Sequence, residues 1–136
     1  MFFFSTTLYL VVLISHAEYP DGVFKGEVSD PYLFIDITFH EDVPTSWVFI
    51  EVKCSRNTTH PPNSIFDIED SGGSPKKFEI TGDTDDYDKM IFDLNVLCNR
   101  NYQSGDFAQF TEVTPNKTYN VKVKDSQVAV TKTTQM

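Results

Sequence analysis

Two cysteines, Cys54 and Cys98, constrain this chain more than any other feature, because each closes a short run with apolar residues at alternate positions. In VFIEVKC, Val48, Ile50 and Val52 share a face with Cys54; in FDLNVLC, Phe92, Leu94 and Val96 share a face with Cys98. Side chains two apart on a strand point to the same side, so both thiols are expected to point where the aliphatic residues point. Two inward sulfurs on two strands can bridge a core. Two separate buried thiols are the other reading, since a free cysteine behaves as a small hydrophobe.

The compartment decides between them, and the first residues speak to it. MFFFSTTLYLVVLISHA carries no acidic or basic side chain, and its apolar centre runs from Phe2 to Ile14. A membrane-spanning helix needs about 20 apolar residues, whereas a signal peptide needs an apolar region of roughly 7–15. Ser15 and Ala17 place small residues where a signal peptidase reads, so residues 1–17 are expected to be a cleaved leader and residues 18–136 a single secreted domain. Export implies an oxidising environment, and there the expected state is a Cys54–Cys98 disulfide. Asn57-Thr58-Thr59 and Asn116-Lys117-Thr118 are N-glycosylation sequons in expected turns, which agrees with export.

Short alternating runs separated by Gly, Pro, Asn and Asp fill the rest. They predict strands over Val23–Val28, Tyr32–Phe39, Ser46–Cys54, Ser64–Ile68, Lys77–Thr81, Lys89–Cys98, Phe107–Val113, Thr118–Lys124 and Gln127–Thr133. About eight or nine short strands at regular spacing predict an all-β fold, a single antiparallel β-sandwich of jelly-roll or immunoglobulin-like type with one disulfide. The net charge of −9 disfavours nucleic acid and anionic membrane surfaces as partners. After leader cleavage no membrane span is expected.

Three groups of residues bear on function. Asp83, Asp85, Asp86 and Asp88 crowd GDTDDYD between two predicted strands. Calcium takes about six to eight oxygen ligands, and aspartate-rich loops can supply them; a solvated hairpin tip is the plainer reading. Phe34 and Phe49 fall opposite the aliphatic faces of their strands, and with Trp47 and Tyr102 they suggest a binding surface. Catalytic arrangements are missing: no Gly-x-Ser-x-Gly, no phosphate-cradling glycine loop and no His-Glu-x-x-His occurs. The expectation is a secreted, glycosylated, non-enzymatic protein that acts by non-covalent binding to an extracellular or cell-surface protein, with no obligatory cofactor. A calcium-assisted carbohydrate-binding module and a carrier of a small apolar ligand are the alternatives.

Overall fold

The computed structural model describes residues 19–29, 31–82 and 85–133; the expected leader and Asp83 lie outside these. Eight antiparallel strands follow one another in space as in sequence and close on themselves as a barrel. They are β1 (Gly22–Ser29), β2 (Tyr32–His40), β3 (Trp47–Lys53), β4 (Asn63–Gly72), β5 (Lys77–Thr81), β6 (Gln109–Thr114), β7 (Thr118–Val123) and β8 (Ser126–Lys132). Among the described residues one helix, α1 (Asp85–Cys98), is inserted between β5 and β6.

The antiparallel strands and the disulfide agree with the sequence. The two-layer sandwich does not: β1 pairs with β8 at Phe24↔Lys132 and Lys25↔Thr131, so the sheet closes instead of stacking on a second one. Alternation cannot separate these architectures, because the interior of a barrel and the inner face of a sandwich both repeat every two residues. Every other pairing joins strands that are neighbours in the chain, so the sheet is an up-and-down meander whose two edges meet.

A second correction concerns Lys89–Cys98, expected as a strand and found as the last part of α1. The helical reason lies in the spacing of Tyr87, Met90, Ile91 and Leu94, all buried. That i, i+3, i+4, i+7 pattern forms one helical stripe. Asp85, Asp86 and Asp88 occupy the first turn, where negative charge complements the helix dipole. Asn99, at φ 53°, ends the helix in the left-handed conformation that often terminates one. The residues that looked like alternate strand positions, Phe92 and Val96, are exposed on the outer side of α1.

Both ends of the barrel are filled. Towards one end Phe24, Phe39, Phe78, Phe110 and Tyr119, all essentially inaccessible, meet ring to ring. Phe39 meets Phe110 edge to face at 5.2 Å, and Phe24 meets Phe39 and Tyr119 at 5.4 Å. Such contacts each add about 0.5–1.5 kcal/mol to the area that the rings bury. Across the other end lies α1. Tyr87 packs on Phe66 of β4, with 6.1 Å between rings, and the disulfide joins Cys98 to Cys54 just after β3. Arg100 donates to the carbonyl of Tyr32 at the start of β2. The return segment then reaches the β7–β8 turn through Asp106, whose buried carboxylate accepts from the N–H groups of Gln103 and Lys124 and pairs with Lys122.

Candidate functional site

The outward positions of β2, β3 and β4 carry an unusual load of large side chains. The register sets His40 beside Trp47, Thr38 beside Phe49, and Phe34 beside Lys53. On the other flank of β3 it sets Trp47 beside Asp67 and Phe49 beside Ile65. Inward residues of the same strands, among them Ile35, Ile37, Val48 and Ile50, are fully buried, so period-two alternation places the aromatic set outside. Trp47, Phe34 and Phe49 are half-buried by one another's strands, while Ile65 is 58 % exposed.

Several contacts flank the rings of this face. Trp47 stacks on the His40 imidazole at 4.7 Å, with 27° between planes. The Lys53 ammonium lies 5.7 Å from the centre of the Phe34 ring, and the Arg56 guanidinium 4.3 Å from that of Tyr32. Cations over ring faces are attracted by about 0.5–1 kcal/mol at exposed sites. Local desolvation and then the neighbouring Glu27 raise the Tyr32 hydroxyl pKa above its ordinary value, against the opposing charge of Arg56.

Tyr102 does not belong to this face. It is buried within the segment that follows α1, edge-on to Phe107 at 5.0 Å, and its hydroxyl accepts from Arg100. The side chain of Asn95 fixes its backbone from both sides, with Nδ2 donating to the Tyr102 carbonyl and Oδ1 accepting its N–H. A polar loop of this composition reads as exposed, and the Asn95 clamp from α1 shows only once that segment is recognised as a helix.

Beside Trp47, a cleft of about 710 Å³ includes Glu41, Asp42, Asp67 and Glu69 in its wall, with Tyr19 and Ser46. No Lys, Arg or His is among the residues lining it. Asp67 and Glu69 lie within β4, with Asp67 paired to Thr81 of β5. Asp85, Asp86 and Asp88 sit on a helical turn in place of the expected hairpin tip. Among the described residues, no group of three or more His, Cys, Asp or Glu side chains is placed to hold a metal ion.

The two sequons sit at opposite poles of the barrel, Asn57 between β3 and β4 and Asn116 between β6 and β7. Both residues are exposed. The Asn116 Oδ1 accepts from the Asp21 N–H, which leaves Nδ2 unconsumed by that bond. The Cys54–Cys98 disulfide is consistent with an extracellular protein. Among the described residues, no helix is long and apolar enough to cross a membrane. No protein-family model, no curated protein and no solved structure matches the chain.

Proposed function

We propose that this chain is an exported, glycosylated recognition protein that binds another extracellular protein through the outer face of β2–β4. The observation that carries the reading is the juxtaposition of Trp47, Phe49 and Ile65 on outward positions of β3 and β4, with Phe34 further along the same face beside Lys53. Aromatic and aliphatic side chains grouped on a rigid sheet are what a partner's apolar anchors need, and Trp and Tyr are enriched where binding energy concentrates. The acidic cleft beside Trp47 sets the polar chemistry of the partner. An apolar anchor flanked by Lys or Arg complements both features, and its association slows as salt rises. Glycans on Asn57 and Asn116 would stand at the poles and leave this lateral face open. The mechanism is surface complementarity, without covalent chemistry.

The alternatives lose the features that suggested them. A carrier that encloses an apolar ligand within the barrel needs an interior volume, and here five packed rings fill one end and α1 lies across the other. A calcium-assisted carbohydrate site needs convergent carboxylate loops, whereas Asp85, Asp86 and Asp88 lie on a helical turn and Asp67 and Glu69 on a strand.

The test is a binding screen of the glycosylated protein against purified cell-surface ectodomains, repeated with a Phe49→Asp, Ile65→Asp double variant. The expected result is a saturable partner whose affinity falls at least about tenfold in the double variant, which still melts cooperatively as a folded protein. A partner whose affinity ignores these substitutions but is lost on Phe92→Asp with Val96→Asp would move the function to α1 and overturn the reading.

A further inference from the structure

The barrel wall is not evenly closed. β1 and β8 share two ladder pairs, Phe24↔Lys132 and Lys25↔Thr131, and the next residue of β1 is Gly26. A Cβ on Gly26 would stand 2.1 Å from the carbonyl oxygen of Ala129, so β1 passes directly over β8 at that point. Beyond the crossing, Glu27, Val28 and Ser29 pair with β2 and Ser126–Ala129 pair with β7; neither group pairs with the other. The two strands diverge towards the α1 end, and the gap is a groove of about 390 Å³.

The chemistry of this groove is consistent along its length. Its floor is Val28, Leu33, Val123 and Val128, all in register with the inward side of the barrel. Among the described residues, the ionisable ones that line it other than Tyr102 are Arg100 and Lys124, with no carboxylate. Both cations are set on Tyr102: Arg100 Nη1 donates to its hydroxyl at 2.9 Å, and the Lys124 ammonium lies 5.4 Å from the ring centre. Arg100 also donates to the Tyr32 carbonyl, and Lys124 to Asn101 Oδ1. A guanidinium offers five N–H donors and an ammonium three, so each keeps donors to spare. Among the described residues, neither forms an ion pair, although acidic residues outnumber basic ones by 20 to 11 in this chain.

We propose that this groove between the diverging ends of β1 and β8 binds a small amphipathic carboxylate. Its apolar body lies on Val28, Leu33, Val123 and Val128, and its carboxylate on Arg100 and Lys124. The size lies within the roughly 300–1,000 Å³ typical of small-molecule sites, which are mostly apolar with a few placed polar groups. The occupant follows from charge complementarity: an anionic head satisfies the two cations, and an apolar tail covers the exposed edge of Val28. This site is separate from the aromatic face of β2–β4, and the two stand or fall independently.

The experiment is titration of dodecanoate, below its micellar concentration, into the full secreted protein, by calorimetry and by the carbon-13 signal of a labelled carboxyl. Saturable one-to-one binding is expected, weakened roughly tenfold or more by Lys124→Glu and restored by Lys124→Arg. Val28→Asp, which sets a charge on the apolar floor, is expected to weaken it comparably, and dodecyltrimethylammonium to bind at least about tenfold less tightly. Phe49→Asp with Ile65→Asp leaves dodecanoate binding unchanged. Melting curves of Lys124→Glu and Val28→Asp establish that both are folded. The proposal is overturned by absence of saturable binding, by equal affinity for the cationic amphiphile, or by Lys124→Glu and Val28→Asp variants that are folded and bind as tightly as the parent. Capture of peptides with free C-termini without dodecanoate binding would also overturn it, in favour of a peptide site.

Discussion

The hydroxyl of Tyr87 in α1 donates to the backbone carbonyl of Asp106 at 2.7 Å and accepts from the N–H of Gly105 at 2.9 Å, which ties the lid of the barrel to its own return segment. Tyr87→Phe would leave two backbone groups without this partner, at a cost of about 1–3 kcal/mol measurable by urea unfolding. Burial pushes the phenol pKa up from near 10 to about 12; the charges of Asp106 and Asp88 add to the rise and the Gly105 bond opposes it. Between those values the folded state binds more protons than the unfolded one, so stability is full below about pH 10 and falls as pH rises through about 12. The difference between wild-type and Tyr87→Phe stability curves is therefore expected to shrink over that window. A constant difference would mean that the phenol titrates alike in both states.

Gly26 is required by the closeness of β8, not by its own backbone conformation. Gly26→Ala drives a methyl into the Ala129 carbonyl and is expected to cost about 3 kcal/mol or more. Gly72 is the contrasting case, with φ +84° and no atom within 4 Å of an added Cβ. There alanine suffers only the left-handed conformation, about 1–2 kcal/mol. Amide exchange adds a positional check: Gly26→Ala should accelerate exchange at Lys25 and Thr131, on the short β1–β8 ladder, before the rest of the barrel.

Phe78 and Phe49 are the same residue type on opposite sides of one sheet. Phe78 is inaccessible and lies 5.2 Å from the Tyr19 ring and 6.2 Å from that of Tyr119. Phe78→Ala should cost about 3–5 kcal/mol, whereas Phe49→Ala should cost about 1 kcal/mol or less. Chemical denaturation of the two variants measures this directly. A large loss at Phe49 would mean that the outer face is structural and not spare for a partner.

The Cys54–Cys98 bridge spans 44 residues and fastens the end of α1 beside β3. The chain-entropy estimate for such a loop is about 4 kcal/mol. Replacing both cysteines by alanine should lower the denaturation midpoint by a matching amount. Exchange protection should be lost first over α1, which the bridge anchors at its C-terminal end. Uniform loss throughout the barrel would show that lid and barrel unfold as one unit.

Much of the barrel was legible because strands announce themselves by alternation: Leu33, Ile35, Ile37 and Phe39 in β2, and Tyr119, Val121 and Val123 in β7, are all buried as that pattern requires. Closure was not legible, since two ladder pairs between β1 and β8 leave no signature distinct from that of a sandwich edge. The helix was hidden by coincidence of periods. Phe92, Leu94, Val96 and Cys98 alternate, while Tyr87, Met90, Ile91 and Leu94 follow a helical stripe that begins before the alternating run. Extending the window upstream through the acidic first turn favours the helix. The outward positions of Phe34 and Phe49 follow from parity, but the burial of Tyr102 does not, because its backbone is clamped by Asn95 of a helix that reads locally as a strand. The groove at the seam rests on a divergence of strands distant in sequence, which no local pattern encodes.

The acidic start of α1 gives the last prediction. Asp86 and Asp88 lie in the first helical turn, where their charges complement the partial positive charge of the exposed N–H groups. Asp86→Asn and Asp88→Asn should each cost about 0.3–1 kcal/mol, less at high salt, because such interactions are screened. If the carboxylates serve the helix in this way, millimolar calcium should leave the melting temperature unchanged. A bound ion at about 100 times its dissociation constant would raise it by several degrees, on the order of ten for a domain of this size. A rise of that order, abolished by the two substitutions together, would assign the turn to a metal and reopen the carbohydrate reading.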